Sequence, residues 1–234
     1  MAEPTQEKSW LLVQVENAVR AGLTRAYERI RVEPDEFLFH LRAAHGLPVE
    51  TYDGLFSVPV VRLDDIADQT IRAGMKLAAA EGAGFGMGGF LTIVPDLGIL
   101  AAITMRTLQK LSLIYGFQFS TDEEQAELWI AAATAAGVDI SRDLLERSVL
   151  TRFVPKVIQR IAVSASAEIV EKWSARLIPV LSSGIGATFN YYFVRAWGRR
   201  ALAHFRARHL QIRDQRTQCP VLLPPAPEGA PGQF

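Results

Sequence analysis

The sequence predicts an all-α protein, a compact multi-helix bundle with two glycine-broken apolar helical hairpin segments. Three observations predict it. Apolar side chains recur at spacings of three and four, as in Leu11, Val15, Ala18, Val19 and Leu23, which is the period of a helix face. No convincing run alternates apolar and polar residues with the period of two that a half-buried strand needs. Two apolar stretches, residues 83–105 and 177–194, are interrupted by glycine and proline. With 234 residues, 49% of them hydrophobic and 21% charged, the chain can bury roughly 70% of its unfolded surface without metal or disulfide staples. That excludes a mainly disordered chain, a disulfide miniprotein and a collagen-like fibre. The 25 basic and 25 acidic residues balance, which argues against a wholly basic nucleic-acid binder.

Taken in order, residues 10–31 read as an amphipathic helix. Residues 32–63 carry Pro34, Gly46, Pro48, Gly54 and Pro59, so short helices joined by turns are expected there. Asp64 offers an N-cap for a helix that runs to Gly82. Residues 83–105 hold a single charge, Asp96, and are long enough to cross a bilayer. Gly84, Gly86, Gly88, Gly89 and the Pro95-Asp96 pair divide them into halves too short to span alone, so a broken hairpin is expected, with a helix from Asp96 to about Tyr115. Gly116 closes that helix; Ser120 or Thr121 with Glu123 and Glu124 opens the next, which stops at Gly137. A short helix over 139–154 follows, and Pro155 fits the first turn of its successor. Residues 177–194 carry no formal charge and are broken at Pro179, Gly184 and Gly186; residues 192–213 resume as a helix. Residues 220–231 contain Pro220, Pro224, Pro225, Pro227 and Pro231, the composition of an extended mobile tail, with PxxP spacing at Pro224 and Pro227 suited to a docking partner.

The candidate residues are few. Gly84, Gly86 and Gly89 satisfy GxGxxG, but a helix former precedes them where the dinucleotide motif needs a strand. Their spacing, with Gly82 and Gly88, suits close helix packing instead, matched in the second stretch by Gly184 and Gly186. Asp96 is an isolated carboxylate in apolar sequence, which must be capped, paired or protonated. Arg106 lies ten residues on, about 15 Å along a helix, so Asn190, Lys172 and Arg176 are the candidate partners. Glu81 sits at a helix C-terminus, where a carboxylate is disfavoured by the dipole. The pairs His40/His45 and His204/His209 have the wrong spacing for one helix face, Asp64 and Asp68 read as a cap and a solvated acid, and the lone Cys219 has no partner. No metal and no cofactor are expected.

Charge layout is the strongest signal. From Lys172 to Arg213 the chain holds eight basic residues and no acid. Arg195, Trp197, Arg199, Arg200, Arg206 and Arg208 would form an amphipathic helix able to meet an anionic membrane, with Trp197 and Phe205 at the acyl boundary. The competing expectation is a basic helix packed on the protein's own acids around 64–68 and 122–127. No nucleic-acid motif accompanies the arginines, and the acidic N-terminus lacks a secretory signal pattern.

EGAGFGMGGFLTIVPDLGIL, a following helix with Arg106, and YGF at Tyr115 to Phe117, together with IPVLSSGIGATFNYYFVRAWGRRA, resemble the EcsC protein family. Ser182-Ser183 stand where the second landmark usually has a glycine. On this resemblance, residues 1–63 form an N-terminal helical extension, 64–213 an EcsC-like helical domain and 214–234 a disordered tail. The family is named for a protein encoded beside ABC exporter subunits. The resemblance therefore implies a non-enzymatic, cytoplasmic helical accessory of a bacterial transport or envelope system, peripheral to or partly inserted in the inner membrane and meeting a membrane-protein partner. It supplies no catalytic residue. The alternatives are a membrane-proximal hydrolase using Glu81 and Asp96, and a soluble interaction module.

Overall fold

A computed structural model describes residues 4–29, 32–85, 90–140, 150–174 and 183–218. The elements are α1 (Pro4–Arg29), α2 (Pro34–His45), a 3-10 helix (Tyr52–Ser57), α3 (Val60–Phe85), α4 (Phe90–Ile114), α5 (Asp122–Ala135), α6 (Leu150–Ser174) and α7 (Ser183–Gln218). No strand occurs among the described residues, and the protein is an all-α bundle.

Local chemistry explains most boundaries. Pro34 opens α2, with Asp35 and Glu36 in its first turn, and Gly46 ends it at φ 60° while its N–H meets the Arg42 carbonyl. Thr121 caps α5 in a full capping box with Glu124. Gly137 ends α5 at φ 73°, and the Val138 N–H reaches the Ala133 carbonyl at 2.8 Å. At Gly116 φ is 90°, and a Cβ there would stand 2.8 Å from the Phe56 ring, so both conformation and space call for glycine.

Several boundaries differ from the sequence expectation. α3 begins at Val60 rather than after Asp64, so Asp64 lies inside the helix and its carboxylate is free for long-range pairing. α4 begins at Phe90, ahead of Pro95 and Asp96, so Asp96 is not its N-cap; the Asp96 side chain is outside the described residues. Pro155 is interior to α6, and Gly184 and Gly186 lie within continuous α7. In each case packing along the whole helix outweighs a local breaker worth about 1 kcal/mol for glycine and about 3 for proline. Residues 86–89, 141–149, 175–182 and 219–234 are outside the described residues. They include Gly86, Gly88, Gly89, Arg176, Pro179, Cys219 and the Pro224-Pro227 pair.

α4 is the hub, in contact with α1, α2, α3, α5 and α7. Its Leu97, Leu100, Met105, Leu108 and Leu111 are all buried, in one core with Val15, Val19 and Leu23 of α1 and Trp129 of α5. Leu97–Ile114, at mean hydropathy 1.3, is the described segment long and apolar enough to cross a membrane, and 67% of it is buried inside the bundle. A central helix surrounded by other helices is apolar on most of its circumference for the same reason that a spanning helix is.

Candidate functional site

The second landmark meets the first along an antiparallel crossing of α3 and α7. Ile71 touches Gly198, Gly74 faces Val194, Ala78 faces Asn190 and Gly82 faces Gly186. These positions recur about every four residues on both helices, so one small-residue ridge lies on another. At the tightest point a Cβ on Gly82 would be 2.5 Å from Asn190 Nδ2 and 2.8 Å from the Gly186 carbonyl. A Cβ on Gly186 would be 2.8 Å from the Gly82 carbonyl. Asn190 is buried and its Nδ2 donates to the Ala78 carbonyl at 3.2 Å. The amide thus ties the two backbones together across the crossing.

α1 meets α4 with the same economy of side chain. A Cβ on Gly22 would lie 2.6 Å from the Gly98 carbonyl and 2.9 Å from Ala101 Cβ. The sequence reading passed over Gly22, Gly74, Gly98 and Gly198. Ala18-Gly22-Ala26 and Gly74-Ala78-Gly82 are small residues at four-residue spacing, the signal that would have found both seams.

The other half of α7 carries charge that the protein satisfies internally. Arg199 binds Asp68 through both terminal nitrogens, at 2.5 and 3.3 Å, and Arg206 Nε bridges both Asp64 oxygens at 3.1 and 3.0 Å. Arg200 donates to the Ala135 carbonyl at 2.8 Å. His204 donates to Glu127 at 2.7 Å, and Arg216 pairs with Asp53 at 2.6 Å while lying 4.4 Å from the Phe56 ring centre. Arg208 meets Gln211 at 2.9 Å. Trp197 and Phe205, expected at an acyl boundary, are core residues with 2% and 0% exposure. Their helical spacing, which placed them on an apolar stripe, is the stripe that packs inward.

Below these pairs lies a buried polar chain. The Tyr115 hydroxyl donates to Asp64 at 2.6 Å, and His209 Nδ1 donates to the Tyr115 carbonyl at 2.9 Å. Burial, with the Asp64 carboxylate behind it, holds Tyr115 protonated far above the ordinary phenol range, so it acts as a donor and not as a base. A cleft of about 360 Å³ opens alongside, lined by Tyr52, Phe56, Glu123, Glu127, Arg208 and Arg216. Glu127 and Arg216 are already engaged with His204 and Asp53.

Three of the four candidate polar residues have described side chains, and Asp96 does not. Asn190 is buried at the crossing, Arg106 is exposed on α4, and Glu81 is half-buried on α3 beside Gly82. Among the described residues no three His, Cys, Asp or Glu side chains stand close enough to share a metal ion.

Comparison with known proteins bears on the whole chain. The family model described as the EcsC protein family matches residues 11–210, α1 included. Protein EcsC of Bacillus subtilis (strain 168) is 28% identical over 151 residues, which cover 63% of this chain and 64% of that protein. The chain therefore aligns over a little under two thirds of that relative's length. No solved structure matches it.

Proposed function

The chain belongs to the EcsC protein family, and from that premise we propose that it is a non-enzymatic helical accessory working at the cytoplasmic face of a bacterial inner membrane, in support of a transport or envelope system. The observation that carries this reading is the placement of exposed Trp10, Tyr191 and Tyr192 at the end of the bundle away from its inter-helix ion pairs. The pairs Asp64–Arg206, Asp68–Arg199, Glu127–His204 and Asp53–Arg216 gather where the start of α3 meets the end of α7. Exposed Trp10, Leu12, Val13, Leu77, Tyr191 and Tyr192 belong to the other half, while Phe39 and Val61 are exposed on the half that carries the ion pairs. α1 runs parallel to α4, since Gly98 faces Ala18 and the Val32 N–H reaches Gln109 at 3.1 Å, so the α1 start lies with the α4 start. α7, antiparallel to α3, brings its own start to that end.

An end that exposes Trp and Tyr beside other apolar side chains suits a protein that rests on a bilayer interface. The mostly buried α4 supports a peripheral attachment over a span. The reading extends to a membrane-protein partner on the same bilayer and to a partner for the Pro224-Pro227 segment. Its test is fractionation of cells producing the full chain, with carbonate washing, alongside flotation of purified protein with liposomes. Recovery in the membrane fraction and flotation are expected. Protein that stays wholly soluble in both assays overturns the reading and favours a soluble interaction module.

A further inference from the structure

α7 divides into an inner and an outer face. Asn190, Val194, Trp197 and Ala201 are turned inward with 1%, 0%, 2% and 0% exposure, whereas Thr188, Tyr191, Tyr192, Arg195 and Arg199 are exposed. At 100° per residue, Arg195 lies four residues beyond Tyr191 and three beyond Tyr192, so all three side chains share one patch. Tyr192 is 56% exposed and Tyr191 36%, and their rings meet edge to face with centres 5.4 Å apart.

The arginines of α7 divide in the same way. Arg199 and Arg206 are held by Asp68 and Asp64, Arg200 by a carbonyl, Arg208 by Gln211 and Arg216 by Asp53. Arg195 and Arg213 make no side-chain hydrogen bond or ion pair with any described residue, and of the two Arg195 is the exposed one and stands beside tyrosines. An exposed guanidinium flanked by two tyrosines, with no acid paired to it among the described residues, presents its five donors outward. Guanidinium binds phosphate oxygens in a fork, and tyrosine settles where a bilayer passes from headgroup to acyl chain. Both preferences are met at one surface by anionic phospholipid.

Resting on the membrane reading above, we infer that the protein docks on an anionic bilayer through the Tyr191-Tyr192-Arg195 face at the start of α7, and that the arginine-rich second half of α7 faces away from it. The phosphate of a headgroup takes Arg195, and the tyrosine rings enter the interface.

The experiment floats the purified full chain with vesicles of phosphatidylcholine alone and of phosphatidylcholine with phosphatidylserine. Wild type is compared with a Tyr191→Ser, Tyr192→Ser, Arg195→Gln triple variant and with an Arg208→Gln, Arg213→Gln double variant, all checked for cooperative unfolding. Wild type should bind the anionic vesicles, and the triple variant should lose on the order of tenfold in partitioning, about fivefold of it from Arg195. The double variant should bind as wild type does. An environment-sensitive fluorophore on Tyr192→Cys, in a Cys219→Ser background, should shift to the blue on these vesicles, and the same label on Ala207→Cys should not; this readout stands even where the triple variant fails to fold. Loss of binding in the double variant with none in the triple, or a blue shift at 207 and not at 192, overturns the inference while the membrane reading survives. Failure of wild type to bind either vesicle removes both.

Discussion

His209 has no exposed surface; its ring stacks on Phe56 at 4.7 Å, and its Nδ1 proton is spent on the Tyr115 carbonyl at 2.9 Å. Because the carbonyl can only accept, Nε2 is the bare nitrogen of the neutral ring, and it has no hydrogen-bond partner among the described residues. Burial depresses the pKa below the ordinary 6.5, and Arg213 and Arg216 push the same way against the Tyr115 carbonyl and Asp64. On acidification the unfolded chain therefore takes up this proton first. The stability tied to neutral His209 is complete above pH 6.5 and is lost as pH falls from there toward the lowered native value. Thermal unfolding between about pH 7 and pH 5 should show a steeper loss of stability for wild type than for His209→Gln. A residual slope is expected from His45, which burial, His40 and Arg62 depress in the same direction; equal slopes in the two proteins would refute the assignment. At this scale little was legible in advance. Spacing showed that His204 and His209 do not share a helix face, but their partners, Glu127 and Tyr115, lie 77 and 94 residues away.

The α3–α7 crossing is an element-scale device, and its test compares two glycines. A methyl on Gly186 would press on the Gly82 backbone at 2.8 Å, which no rotamer can relieve, whereas on Gly98 the nearest atom would be the Ala18 carbonyl at 3.9 Å. Gly186→Ala should therefore lose about 1–3 kcal/mol through overpacking. Gly98→Ala should be neutral or gain up to about 1 kcal/mol, since alanine suits a helix interior better. Chemical denaturation of both variants decides it, and equal midpoints would refute the close-approach argument. Element boundaries were legible where the cause is local: the Thr121–Glu124 capping box, the Gly46 stop, and the left-handed Gly116 and Gly137. They were misread at Pro95, Pro155 and Gly186, where long-range packing carries the helix through a residue that would end it in isolation.

For the whole molecule, the N-terminal helix is part of the structure that the rest depends on. Val15, Val19, Leu23 and Ala26 are buried, and α1 packs on both α4 and α6. Each large apolar side chain stabilises by about 1.5–3 kcal/mol on burial, so the three together rival a typical domain stability of about 5–15 kcal/mol. A chain lacking residues 4–29 should lose its cooperative thermal transition and aggregate through the bared face of α4. An unchanged transition would mean that α1 is an appendage. Hydropathy alone does not separate a hub helix from a spanning one, because both are apolar around most of their circumference; the neighbours of Leu97–Ile114 make that distinction.

The sequence by itself determined the all-helical class, the turns that carry their own glycine or capping residue, and membership of the family, because periodicity, caps and landmark motifs are written in neighbouring residues. It also marked Gly82, Gly186 and Asn190, but not that the three meet. Tertiary structure alone decided which arginines were taken by Asp64 and Asp68, which left Arg195 exposed and without an ion pair among the described residues, and that Trp197 and Phe205 turn inward. The physical reason is distance along the chain. A helix states which residues share a face, whereas the partners that Arg199, Arg200, His204 and Arg206 of α7 meet come from segments 65 to 142 residues away, and only the packed bundle brings them within reach.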